Sequence, residues 1–359
     1  MIYLFFFLFT IIAARLMEPR VSGRVLCFIL AMMLGVFAAL RGPDVANDYA
    51  VYRDWYSGVG LDASLMERPL FFELFFFEFM KLCSRLGLPF TVFLGVVAVS
   101  SIFIKLLVIK KYSKNTNGFI VSLFLYCWTF YLLKDFTQIR AGLAISIVMF
   151  AASQLIIGQF NKFYLLILLA SGFHMEALLA VPLPLLVLER SQKTNYILVG
   201  ITLLFLFSRV TGHGLLQPIA LLISSWDPKL SYYTSIAFSD SATQANFFSF
   251  SVVILLIIAL NILFAKINTM HVEDQTMALT PLARCILVSL WPLFLIPEMQ
   301  EIALRAHEFL AVNTLLVAAI LFSRGGFLAT KVLLLAWGVL NIYINIFRAG
   351  SLVRPYSIY

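Results

Sequence analysis

Apolar stretches of membrane-spanning length recur through this 359-residue chain, at 2–17, 24–40, 89–109, 118–134, 138–157, 160–173, 175–189, 195–210, 246–265, 282–297, 305–323 and 327–347. A bilayer core demands roughly 20 apolar residues per crossing helix, and helices satisfy their own backbone groups where no water can. The reading is all-α: a polytopic integral membrane protein of about 12 transmembrane helices. It forms a single integral membrane domain over 1–359, with outer loops at 41–68, 210–245 and 298–305. Several spans fall short of full crossing length, which predicts broken or interfacial helices or a locally thinned bilayer.

The side-chain inventory excludes a soluble domain. Hydrophobic residues make up 62% and charged residues 12%, where a soluble domain carries about twice that share of charge. The net charge of +8 is what cytoplasmic loops rich in Lys and Arg give a membrane protein, so no nucleic-acid partner is expected. Cys27, Cys83, Cys127 and Cys285 lie inside apolar runs without disulfide or zinc spacing and read as packing residues. Residues 1–14 are apolar from the start, with no basic segment ahead and no small-residue cleavage site, so they are expected to remain as a first span.

The stretch from Pro69 to Leu86 carries Glu73, Glu78, Lys81 and Arg85 on one broad helical face and reads as a re-entrant or interfacial helix near 69–86. A full crossing there would put Lys105, Lys110, Lys111 and Lys114 outside, against the tendency of basic residues to stay in the cytoplasm. With that parity both termini face outward, and the inner side holds Arg15, Arg20, Arg24 and the 105–114 cluster. In the loop 210–245, Leu215, Leu216, Ile219, Leu222, Ile223 and Trp226 recur at helical spacing, predicting an amphipathic outer helix near 214–226.

The unusual polar residues then collect on the outer side: Arg41-Gly42-Pro43-Asp44 through Arg53-Asp54, Glu67 and Arg68, Lys134, Asp135, Gln138, Arg140, His174 and Glu176, and Glu298, Glu301, Arg305, His307 and Glu308. Charges at membrane depth cost several kcal/mol unless paired or hydrated, which a shared wet cavity would explain. Mutual pairing or snorkelling accounts for any one of them about as well. Arg41, Arg140 and Arg305 come from three distant parts of the chain, and three guanidinium groups could converge on a pyrophosphate through paired, charge-assisted hydrogen bonds. His174, in the junction Gly172-Phe173-His174-Met175-Glu176, or Asp48 could take a proton from an attacking hydroxyl. Tyr49, Tyr52 and Trp55 present amphipathic rings that can anchor the chain at the membrane interface. The histidines lack ligand spacing, so a metal-independent site without cofactor is expected.

Several of these motifs resemble the Wzy-type O-antigen and exopolysaccharide polymerases, in the EpsG-like branch. Asn47-Asp48-Tyr49-Ala50-Val51-Tyr52 after Arg41 is similar to that family's Gly-x-Asp-Tyr-x-x-Tyr pattern, with Ala46 in place of the glycine. Gln138-Ile139-Arg140-Ala141-Gly142-Leu143-Ala144 resembles the Gln-x-Arg-x-Gly-x-Ala opening of a central helix, and Phe173-His174-Met175-Glu176 the histidine junction that follows it. Glu67-Arg68-Pro69 resembles an acidic, proline-containing turn, and Ile302–Phe309 the late arginine helix with Arg305 and Glu308.

The resemblance implies a glycosyltransferase at the periplasmic face of the bacterial inner membrane. Such an enzyme joins undecaprenyl-pyrophosphate-linked oligosaccharide repeat units into O-antigen or a related surface glycan, moving the growing chain to the non-reducing end of a new unit. It also implies membrane lipid as solvent, and a chain-length regulator and a flippase as partners. The alternatives are an O-antigen ligase, a lipid-linked oligosaccharide flippase or transporter, and a membrane O-acyltransferase. A flippase or transporter predicts internal repeats, and none is visible.

Overall fold

The computed structural model describes residues 2–46, 48–61, 74–187, 191–210, 249–265, 278–296, 299–324, 326–347 and 356. Among these every element is a helix. Helices occur in the described part of each of the twelve apolar segments, but among the described residues only six helices are long and apolar enough to cross a membrane: 90–112, 116–135, 139–156, 192–210, 302–322 and 328–347. The other apolar helices run 10–17 residues. The segment expected as one span at 175–189 is instead a 3-10 helix, Met175–Ala180, followed by a short α-helix, α9 (Leu183–Val187). Pro182 and Pro184 supply no amide hydrogen there, which removes two donors from any continuous helix.

The chain divides into two compact units, Met1–Ala177 with Leu315–Tyr359, and Leu178–Thr314. In the first unit α1 (Ile2–Met17), α2 (Gly23–Ala39), α5 (Phe90–Tyr112), α6 (Thr116–Tyr126), α7 (Ile139–Ile156) and α8 (Phe160–Ser171) form the bundle. α2 and α5 run antiparallel at close range. A Cβ on Gly35 would come within 2.3 Å of Val99 Cγ2 and 3.1 Å of the Val99 backbone, while Gly23 faces Lys110. Small residues of this kind let helix backbones approach where lipid offers no hydrophobic gain. α7 sits at the centre, and its residues 141–149 are buried on every face.

These pairings define two ends of the bundle. At one, Glu18 accepts from Lys110 Nζ and from Thr116 Oγ1, each at 2.6 Å, and Arg15 Nη1 donates to Asn117 Oδ1 at 3.1 Å. Arg20, Arg24, Lys111 and Lys114 share this end by chain position, as expected of the basic cluster. Lys105 does not. It is fully buried one and a half turns further along α5 and pairs with Asp135, so it leaves that cluster.

At the other end, part of the expected loop 41–68 is a helix, α3 (Tyr49–Leu61), with Tyr49, Tyr52 and Tyr56 on its buried face. α4 (Leu74–Arg85) has 12 residues, too few to cross a bilayer, and buries Phe76, Phe77, Met80 and Cys83. Phe76 packs on Tyr52 and Phe93, and Glu78 pairs with Lys81 at 3.3 Å. Pro69–Glu73 and the amphipathic helix expected near 214–226 lie outside the described residues.

The second unit holds α10 (Gln192–Val210), α11 (Phe250–Phe264), α12 (Leu279–Ser289), α13 (Trp291–Leu295) and α14 (Gln300–Ala311). Part of the expected loop 298–305 is therefore helical. Arg284, buried on α12, donates from Nε to Asn195 Oδ1 at 2.8 Å and from Nη2 to the Ser191 carbonyl at 3.0 Å. Trp291 Nε1 donates to Thr202 Oγ1 at 2.9 Å. The chain returns to the first unit through α15 (Thr314–Phe322) and α16 (Leu328–Ile342).

Candidate functional site

Arg41 follows the C-terminus of α2 and is fully buried. Its Nη1 donates to the carbonyl of Ala38, while Nε and Nη2 have no hydrogen-bond partner among the described residues. Aromatic rings stand where a carboxylate would be expected: the guanidinium carbon lies 5.2 Å from the Phe136 ring centre and 5.6 Å from that of Tyr49. The phenols of Tyr131, Tyr52 and Tyr356 are close enough to act on it electrostatically. Desolvation lowers the Arg41 pKa to about 10, which leaves the group charged at neutral pH. Ring faces offset only part of the cost of burying a cation, so a charge held this way is a strong receptor for an anion.

α3 carries the contact from Arg41 towards Arg140. Tyr49 and Tyr52 fall one turn apart on the buried face, Trp55 packs edge-on against Tyr52 at 5.8 Å, and the Arg140 guanidinium lies 5.9 Å from the Trp55 ring centre. Asp48 precedes the helix, half-buried, and its carbonyl accepts from the Tyr52 amide at 3.1 Å. Asp44 is exposed.

Arg140 stands in the first turn of α7, where free amides and the helix dipole favour an anion. A π-helix, Cys127–Asp135, leads into it; such wide turns recur at functional sites. Gln138 at the start of α7 accepts from Lys134 Nζ at 2.6 Å. Beneath it Asp135 accepts from Lys105 at 2.8 and 2.9 Å, from Tyr126 at 2.6 Å and from Ser101. By sequence alone Lys105 belongs to the inner basic cluster and Asp135 to the outer side, and only the fold shows that the two meet.

His174 is buried just after α8, and its Nδ1 is in close contact with Glu176 Oε2. The Phe75 amide donates to the Gly172 carbonyl at 2.8 Å, which ties this junction to α4, and α4 to Tyr52 through Phe76. Thus Arg41, Asp48, Tyr49, Tyr52, Gln138 and Arg140 gather at one end of the first unit, with His174 and Glu176 linked to them through α4. Glu67 and Arg68 lie outside the described residues. Arg305 and Glu308, both half-buried, belong to α14 of the second unit, where His307 Nδ1 lies 2.9 Å from the Ser289 carbonyl.

Two open clefts, of about 620 and 570 Å³, lie at the opposite end, against Asn115, Arg324 and Lys331 and against Ser22, Arg24 and Lys110. Of their lysines, Lys110 is committed to Glu18 and Lys331 to the Arg324 carbonyl at 2.5 Å, whereas Arg41 Nε and Nη2 have no hydrogen-bond partner among the described residues.

The family model of the EpsG family matches residues 24–357, nearly the whole chain. The chain belongs to the EpsG family. EpsG membership makes it a polysaccharide-polymerase-like membrane protein, in keeping with its long apolar helices. Both stretches that carry the candidate site, Arg41–Tyr52 and Gln138–Glu176, fall within the match. No curated protein and no solved structure matches the chain.

Proposed function

We propose that the chain is a metal-independent glycosyltransferase that polymerises undecaprenyl-pyrophosphate-linked oligosaccharide repeat units at the periplasmic face of the bacterial inner membrane. The growing glycan leaves its carrier and joins the non-reducing end of a new unit, giving O-antigen or a related surface polysaccharide. The observation that carries this reading is Arg41: a buried cation, flanked by aromatic rings, with two donor nitrogens unused among the described residues.

In the proposed reaction an acceptor hydroxyl oxygen bonds to the anomeric carbon of the donor glycan as the carbon–oxygen bond to pyrophosphate breaks. The hydroxyl proton passes to His174, which Glu176 orients, and undecaprenyl pyrophosphate departs with the bonding electron pair. Arg41 and Arg140 hold the departing pyrophosphate, because fixed positive charge is most effective where water is scarce. Tyr49, Tyr52 and Trp55 present ring faces and edges to sugars, and Asp48 and Gln138 hydrogen-bond to them. A flippase would supply the lipid-linked units, and a chain-length regulator would set how many are joined.

The test is incubation of the purified protein with chemically defined lipid-linked repeat units. The expected product is a ladder rising one repeat at a time, with release of undecaprenyl pyrophosphate. Transfer of a single unit to added lipid A core, without a ladder, would instead identify a ligase.

A further inference from the structure

The buried charges below Arg140 have no part in that mechanism, and stability does not explain them. An ion pair wholly removed from water usually contributes no more than well-packed apolar side chains of the same volume. Yet Lys105 and Asp135 are both fully buried, and each is saturated with partners. Lys105 Nζ reaches both Asp135 oxygens, Ser101 Oγ at 2.8 Å and the Gly142 carbonyl at 2.9 Å. Asp135 also accepts from Tyr126 and Ser101. One ammonium thus ties α5 to the last residue of the π-helix and to the opening of α7, two residues beyond Arg140.

The backbone is shaped for this contact. A Cβ on Gly142 would stand 2.8 Å from the Lys134 carbonyl oxygen and 2.9 Å from Asp135 Oδ1, so only glycine lets the first turn of α7 lie against the end of the π-helix. The π-helix is pinned from the same side: the Phe136 amide donates to the Tyr131 carbonyl at 2.8 Å, and Thr137 Oγ1 to the Leu132 carbonyl at 2.8 Å. Phe136, under the Arg41 guanidinium, and Arg140 itself are set by one short stretch of chain that the Lys105–Asp135 pair anchors at both edges.

We infer that Lys105 and Asp135 are positioning residues, whose buried ion pair fixes the turn between the π-helix and α7 and so aims Arg140 at the pyrophosphate of the lipid carrier and seats Phe136 under Arg41. This inference rests on the polymerase reading. Misplacing a catalytic charge by about 1 Å costs up to about 100-fold in rate while leaving ground-state binding by other groups largely intact.

The experiment replaces both charges together, Lys105→Met with Asp135→Asn, so that no uncompensated charge is left buried. The purified variant is assayed on defined lipid-linked repeat units, with thermal unfolding measured in parallel. The expected result is a wild-type unfolding temperature, a kcat reduced about tenfold to 100-fold and a nearly unchanged KM. A folded variant with wild-type kcat, or one whose only defect is a raised KM, overturns the inference. Should the double variant not fold, Tyr126→Phe removes one Asp135 bond and keeps the ion pair, and is expected to lower kcat about tenfold; an unchanged kcat there overturns the inference equally. Arg140→Ala, assayed beside them, separates the two claims. Wild-type turnover in Arg140→Ala sinks the polymerase mechanism, whereas its loss together with full turnover in the Lys105 and Asp135 variant sinks the positioning role alone.

Discussion

The Arg41 guanidinium lies 5.2 Å from the centre of the Phe136 ring, and no carboxylate is among its hydrogen-bond partners in the described residues. A cation buried in this way lowers stability unless something anionic joins it, which separates its worth to the fold from its worth to activity. Arg41→Met, which fills the same space without charge, is therefore expected to unfold at the wild-type temperature or above it. Its polymerisation rate is expected to fall by about 100-fold or more, the usual scale for losing one donor to a developing anion. Thermal unfolding and the product ladder check the two halves separately.

Arg140 meets Trp55 at 5.9 Å in the first turn of α7. Arg140→Ala is expected to abolish polymer while the protein still inserts, and Arg140→Lys to retain little, because an ammonium lacks the paired donors of guanidinium. Trp55→Ala removes a contact worth about 0.5–2 kcal/mol and is expected to slow turnover about two- to 30-fold. Initial rates on lipid-linked repeat units measure all three.

Glu18 supplies the acid-side pH dependence. Hydrogen bonds from Lys110 and Thr116 hold its carboxyl below its ordinary value of 4.5. A carboxylate with a lowered folded pKa stabilises the protein above its unfolded pKa and loses that contribution as pH falls through the folded value. The wild-type unfolding temperature is expected to drop on acidification below about pH 4.5, and that of Glu18→Gln to drop less over the same window. Equal slopes would remove Glu18 from the account.

Close backbone approach gives a steric prediction. Gly35→Ala forces a Cβ to 3.1 Å from the Val99 backbone, and Gly142→Ala forces one to 2.8 Å from the Lys134 carbonyl oxygen. Overpacking of this kind costs about 1–3 kcal/mol, so both variants are expected to unfold earlier in denaturant. Only Gly142→Ala, which displaces the opening of α7, is expected to lower turnover in the protein that remains folded.

Apolar runs located nearly every helix of this chain, because in lipid the hydrophobic pattern and the backbone requirement point to the same structure. They did not show that Pro182 and Pro184 interrupt the segment after His174, since those prolines sit among leucines and valines that look continuous by hydropathy. Arg41, Tyr49 and Arg140 were legible as a site because charges and amphipathic rings at helix ends are costly without a task. Phe136, Tyr131 and Tyr356 were not, because an aromatic residue in an apolar chain looks like packing until a cation is found beside it. Lys105 was misread for a related reason: position along the chain put it near Lys110, and only the pairing of α5 with the π-helix shows that it turns away.

If the Arg41 guanidinium receives the pyrophosphate of a lipid carrier, the most direct measurement is the unfolding temperature of wild-type protein and Arg41→Met with and without undecaprenyl pyrophosphate. At about 100 times its dissociation constant a ligand adds about 2.7 kcal/mol of stability, enough to raise the wild-type transition by several degrees, and Arg41→Met is expected to show little of that rise. An equal rise in both proteins would contradict the account.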